Sequence, residues 1–137
     1  GFFNIKSKRV KNFLNWFISY DFSIDRLNTL ELQNLREELL SINGIGKETA
    51  DSIILYALEK PIFVIDAYTK RLFTRLGFNI PKDYDDIQEL FHKSLIVNVN
   101  LFNEYHALIV MHCKTFCKSK AKCLNCPLKE VCNNANT

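Results

Sequence analysis

Apolar residues recur at helical spacing along most of the chain. From Ile5 to Tyr20, Val10, Phe13, Leu14, Phe17 and Ile18 form one stripe, with Lys6, Lys8, Arg9 and Lys11 on other positions, the pattern of an amphipathic helix with a basic start. A second helix is expected from Asn28 or Thr29, where Asn28 followed three residues later by Glu31 has the form of a capping box, through Leu32, Leu35, Leu39 and Leu40. Asn43-Gly44-Ile45-Gly46 stops it. A third helix, Lys47 to about Glu59, is expected to bury Ala50, Ile53, Ile54 and Ala57, with Pro61 ending it. Ile62 to Ile65 reads as a short extended connector. Asp66 is placed to cap a helix running to about Leu76, with Gly77 as the stop. Two further helices, over about Tyr84–Val97 and Leu101–Phe116, lead into a cysteine-bearing C-terminal loop.

Composition narrows the class. With 137 residues, 47% apolar and 24% charged, the chain can build one compact core, which excludes low-complexity disorder. Only 4 Gly and 3 Pro are present, too few turn residues for a many-stranded sandwich or barrel. The fold class is therefore all-α. No apolar run approaches the roughly 18 residues that span a bilayer, so a soluble protein is expected. The chain opens with neither a signal-peptide pattern nor an initiator Met, and a piece of a longer gene product is expected. The formal charge of +3 is compatible with nucleic acid but too small to argue for it alone.

The cysteines carry more information. Cys113, Cys117, Cys123, Cys126 and Cys132 all fall at the C-terminal end, whereas a disulfide framework would staple the whole domain. A close terminal cluster with an odd count reads as a metal site in a reducing compartment. Cys117, Cys123, Cys126 and Cys132 are separated by five, two and five residues. Structural zinc usually takes two short cysteine pairs, and only one is present here.

The turn Gly44-Ile45-Gly46 has a physical reason to hold phosphate. Glycines let the backbone turn tightly and leave N–H groups at the start of the next helix, where the macrodipole also favours an anion. An ordinary helix–turn–helix corner is the plain alternative. The wider segment, Leu39-x-x-Ile42-Asn43-Gly44-Ile45-Gly46-x-x-Thr49-Ala50, resembles the helix-hairpin-helix of the endonuclease III superfamily of DNA glycosylases, with Asn43 where the family usually has Pro. The resemblance continues through Phe63-Val64-Ile65-Asp66-Ala67-Tyr68-Thr69-Lys70-Arg71, similar to the segment carrying the family's catalytic Asp, with Arg71 on the family's Arg. His106-Ala107-Leu108-Ile109 and the terminal cysteines are similar to the last helix and cluster loop. Gly1-Phe2-Phe3-Asn4-x-Lys6 resembles a loop about a third of the way into family members, so the first helices of the family's barrel are expected to lie outside this sequence.

The resemblance implies a catalytic role for Asp66. Breaking an N-glycosidic bond gathers positive charge on the sugar, and a carboxylate aimed there stabilises it and can orient or deprotonate the attacking water. The same Asp can also cap its helix. Bifunctional members carry a Lys two residues after the second hairpin Gly, and here that residue is Glu48. A carboxylate forms no imine, so Schiff-base lyase chemistry lacks its nucleophile. Lys47 is turned about 100° away on the helix. A monofunctional enzyme is expected, similar to the branch with 3-methyladenine glycosylases, and an alkylated purine is the leading substrate. Glu48 has two open readings. It interacts favourably with the helix dipole, or it shares a pocket with Asp66 and touches the damaged base or its water.

For the cysteines, the resemblance implies a [4Fe–4S] cluster held by Cys117, Cys123, Cys126 and Cys132, with zinc as the alternative. Cys113 is left as a free thiol in a helix. Lys118, Lys120 and Lys122 between the first two ligands are either a solvated loop or a phosphate-contacting face. Phe2 and Phe3 are candidates for a wedge that fills the gap left by a flipped base.

Together these readings imply a partial helix-hairpin-helix glycosylase fold. Residues 1–60 would supply part of the helical barrel, gripping DNA through Gly44, Ile45, Gly46, Lys47 and Thr49. Residues 61–137 would supply the cluster domain. The expected partner is double-stranded DNA with a damaged base, with no membrane and no obligate protein partner, in the cytoplasm at the nucleoid. The competing classes are a non-catalytic DNA-binding module, a bifunctional relative acting on other lesions, and a zinc-stabilised interaction domain.

Overall fold

A computed structural model describes residues 2–136, and among these every regular element is helical. The helices are α1 (Phe2–Phe17), α2 (Ile24–Asn28), α3 (Leu32–Ser41), α4 (Lys47–Ser52), α5 (Ala67–Leu76), α6 (Tyr84–Ser94) and α7 (Val99–Thr115). Short 3-10 turns follow α1 at Ile18–Tyr20 and close the chain at Lys129–Val131 and Asn133–Ala135. No helix among the described residues is long and apolar enough to cross a membrane. The chain forms two compact units, Gly1–Ile62 and Phe63–Thr137.

In the first unit Leu27, Leu35, Leu39, Ile42, Ala50, Ile54, Leu55 and Leu58 are buried. Several boundaries differ from the sequence expectation. Asn28 starts nothing: it is the last residue of α2, a short helix capped by Ser23, whose hydroxyl accepts from the Arg26 N–H. Glu31 takes the N-cap position of α3 without a side-chain cap bond, so the expected capping box does not form. Phe2 to Lys6 lie in the first turns of α1 rather than in a loop.

The helix after the hairpin shifts register. Beyond Ser52 it widens into a π turn over Ile53–Ala57, in which the Leu58 N–H donates to the Ile53 carbonyl at 3.1 Å. One extra residue in that turn rotates the following side chains. Ala57, expected inside, is exposed, and Leu55 and Leu58 are buried. The helix ends at Ala57, before Pro61.

The second unit is built around an extended segment. Phe63, Val64 and Ile65 are almost wholly buried, and among the described residues no strand pairs with their backbone. Side chains from one face of α6 take that place. The Phe63 N–H donates to His92 Nε2 at 2.9 Å, Gln88 Nε2 donates to the Phe63 carbonyl at 2.7 Å, and the Ile65 N–H donates to the Tyr84 hydroxyl at 3.2 Å. Tyr84, Gln88 and His92 are spaced i, i+4, i+8, so one helical face satisfies a buried strand-like backbone. The Phe63 ring stacks on Phe91 at 4.3 Å between centroids and meets Phe102 edge-on at 5.5 Å. That packing fixes the chain just before Asp66.

Candidate functional site

The hairpin belongs to the first unit. Gly44 adopts φ +99°, and a Cβ there would lie 2.3 Å from Arg9 Cγ, so a side chain is excluded both by conformation and by space. The Ile45 N–H donates to the Ile42 carbonyl at 3.0 Å, and Asn12 Nδ2 donates to the Asn43 carbonyl at 3.0 Å, tying the turn to α1. Gly46 is the N-cap residue of α4 and offers no side-chain cap. A Cβ at Gly46 would meet nothing within 4 Å. Gly44, Gly46, Glu48 and Thr49 are exposed, and Ile45 and Lys47 are half-buried. An uncapped first turn carries N–H groups that have no intrahelical acceptor, the donor array an anion takes.

Behind the hairpin lies a residue pair that sequence spacing does not single out. Asp51 is fully buried, and Arg36 donates to it through Nε at 2.7 Å and through a terminal nitrogen at 3.1 Å. This bidentate pair joins α3 to α4, the two helices of the hairpin.

Asp66 lies in the second unit as the N-cap of α5. Its Oδ1 accepts from the Thr69 N–H at 2.7 Å and from the Thr69 hydroxyl at 2.9 Å. Its Oδ2 lies 3.1 Å from His106 Nε2. Asp66, Thr69 and His106 are all buried. Burial by itself would raise the carboxyl, but the hydrogen bonds from His106 and from both Thr69 donors, with the charge of His106, hold it below the usual carboxylate value. Asp66 is therefore an anion at neutral pH. The sequence shows His106 only as part of a helix segment. Its position in the buried stripe Phe102, His106, Ile109 and Cys113 is the signal that marks it, because a polar ring in an apolar stripe needs a partner.

The C-terminal end of α5 organises the cysteine loop. Arg71 Nε donates to the Cys117 carbonyl at 2.9 Å, and its guanidinium lies 5.2 Å from the centre of the Tyr68 ring. Arg75 donates to the carbonyls of Lys118 at 2.6 Å and Ser119 at 2.8 Å, and approaches Cys117 Sγ at 3.4 Å. Gly77, at φ +105°, leaves the space in which Asn133 sits: a Cβ would lie 2.0 Å from Asn133 Nδ2. Cys117, Cys123, Cys126 and Cys132 line one small cavity together with Arg75, Leu72 and Phe116. Among the described residues no group of three or more His, Cys, Asp or Glu side chains is placed to hold a metal ion. The four thiols border one void, with the Arg75 guanidinium beside Cys117. Cys113 is not part of that lining; its Sγ lies 3.6 Å from the Tyr68 carbonyl, and burial foremost, with the neighbouring Cys117, pushes its thiol up to about 11. Lys118, Lys120 and Lys122 are exposed, as are Phe2 and Phe3.

A helical unit bearing a glycine hairpin, followed by a capped carboxylate and a cysteine loop, defines a class. No family model matches the chain. It is 52% identical over 135 residues to a protein of Methanocaldococcus jannaschii provisionally named as a DNA repair glycosylase, covering 96% of this chain and 61% of that one. It is 35% identical over 135 residues to endonuclease III of Sulfolobus acidocaldarius, covering 96% and 57%. Among solved structures, the 3-methyladenine DNA glycosylase of Helicobacter pylori bound to 1,N6-ethenoadenine superposes with a TM-score of 0.71 at 31% identity, covering 83% of this chain and 58% of that one. An endonuclease III–DNA complex superposes at 0.66 and 18% identity, covering 92% and 75%, a likeness of fold. The homologues of this chain are endonuclease III-like helix-hairpin-helix DNA glycosylases, and its fold is theirs. The chain spans about three fifths of the length of these two curated relatives.

Proposed function

We propose that this chain carries the hairpin and the catalytic carboxylate of a monofunctional DNA glycosylase that hydrolyses the N-glycosidic bond of a damaged, alkylated base in double-stranded DNA. The observation that carries the reading is Asp66: a buried carboxylate, ionised at neutral pH, with both oxygens held by Thr69 and His106. As the bond to the base lengthens, positive charge grows on the deoxyribose, and a fixed anion in a site with little water stabilises that charge strongly. The departing base is replaced by a water attacking the sugar carbon, its proton passing to Asp66 or to solvent.

The other residues divide the remaining work. N–H groups of the exposed N-cap Gly46 and of exposed Thr49 in the first turn, with Gly44 and Ile45 shaping the turn and Lys47 beside it, grip a phosphate without reading sequence. Glu48 stands where a lyase would need an amine, so the reaction stops at the abasic site. Cys117, Cys123, Cys126 and Cys132 are the residues that would hold a [4Fe–4S] cluster, which when bound would cross-link the C-terminal loop. Lys118, Lys120 and Lys122 would face phosphate, and Phe2 and Phe3 are the candidate wedge. Incubation of the full-length protein with an alkylated duplex tests the reading: free base and an intact abasic strand are expected, with no adduct trapped by borohydride. A trapped adduct would overturn monofunctionality.

A further inference from the structure

His106 occupies a core position of α7, in register with the buried Phe102, Ile109 and Cys113, where an aliphatic side chain would pack without desolvating a polar ring. Its ring stands perpendicular to Phe63, with centroids 6.4 Å apart, and its Nε2 lies 3.1 Å from Asp66 Oδ2. The two oxygens of Asp66 are thus held from different elements: Oδ1 by Thr69 of its own helix, Oδ2 by α7. A cap bond through one oxygen leaves the carboxylate plane free to swing, whereas a second anchor on the other oxygen fixes the plane. An ionised carboxylate offers about four lone-pair sites. The Thr69 N–H, the Thr69 hydroxyl and His106 use three of them.

We propose that His106 is a positioning residue for the reaction: it donates from Nε2 to Asp66 Oδ2, fixes the plane of the carboxylate, and leaves one lone pair aimed at the substrate sugar. The proposal rests on the glycosylase reading of Asp66. It assigns the two anchors different duties. Thr69 holds the helix start and so the fold, while His106 holds the orientation and so the rate. Because the donors of Thr69 and His106 already draw on its electron density, Asp66 serves more as a fixed counter-charge than as a proton acceptor.

The test is single-turnover base release by the full-length protein from an alkylated duplex, with DNA affinity measured alongside. Removing one preorganised donor typically costs about 100-fold in rate. His106→Leu is expected to lose about that much while DNA affinity stays unchanged, and His106→Gln, which keeps an N–H donor at similar reach, to stay within about tenfold of wild type. Asp66→Asn combined with His106→Leu should be no slower than Asp66→Asn alone, since His106 acts through Asp66. A His106→Leu protein with the wild-type rate, or losses that multiply in the double variant, would overturn the proposal. If His106→Leu does not fold, nitrogen NMR of the imidazole decides it. A protonated Nε2 whose resonance moves in Asp66→Asn supports the contact, and one that ignores Asp66→Asn overturns it. A wild-type protein that releases no base overturns the glycosylase reading instead, a result the NMR experiment does not depend on.

Discussion

Arg36 closes on Asp51 with two hydrogen bonds, at 2.7 and 3.1 Å, and the carboxylate it holds is completely buried. Removing one partner of such a pair takes the counter-charge from a buried ion. Arg36→Ala should therefore destabilise the first unit by about 3 kcal/mol. Trp16, the single tryptophan of the chain, donates its indole N–H to Glu38 at 3.1 Å in the same unit. Its fluorescence during urea unfolding measures the loss, and an unchanged midpoint would show that the pair contributes nothing.

Acid should release the Asp66 anchor. A carboxyl held below its ordinary value in the folded state adds stability that is fully present above the unfolded value of about 4 and is lost as pH falls through the lower folded value. The stability difference between wild type and Asp66→Asn should shrink as pH falls below about 4. Denaturant unfolding at stepped pH checks this, and a difference that grows on acidification would contradict it.

The cysteine loop makes a separate prediction. Cys117, Cys123, Cys126 and Cys132 share one cavity, and Cys113 is not part of its lining. Serine at any of the four should abolish visible absorbance and expose the C-terminal loop to proteolysis, while Cys113→Ser keeps the colour. A colourless wild-type protein with one bound zinc would decide for the single-ion alternative.

Charge reversal at Lys118, Lys120 and Lys122 should weaken binding to all duplex sequences alike and flatten the salt dependence, by about one unit of slope for each phosphate no longer neutralised. Titrations at several salt concentrations measure it. A sequence-dependent effect, or an unchanged slope, would place the lysines away from DNA.

Much of this architecture is legible in the chain because capping and stop residues act locally. Asp66 opening α5 and Gly77 closing it are read directly from residue type, and both do so in the structure. Three features escape for physical reasons. The π turn at Ile53–Ala57 changes register without any Gly or Pro to mark it, so Ala57 exchanges places with Leu55 and Leu58. Asn28 and Glu31 have capping-box spacing, yet a nearer cap at Ser23 starts a separate short helix first. The partners of the buried segment at Phe63–Ile65 come from α6, about twenty or more residues onward, and long-range pairing leaves only a faint mark, the i, i+4, i+8 spacing of Tyr84, Gln88 and His92. The site follows the same rule: the local cap of Asp66 is readable from residue type, and its distant partner His106 is not.

As proposed, Asp66 stabilises a sugar cation during base release. The most direct test of that role is single-turnover release of base from an alkylated duplex by the full-length protein and its Asp66→Asn variant, which keeps the shape of the cap. Free base is expected from the wild type, with a loss of about 100-fold or more in Asp66→Asn and DNA affinity retained. Base release at the wild-type rate from Asp66→Asn would contradict that role.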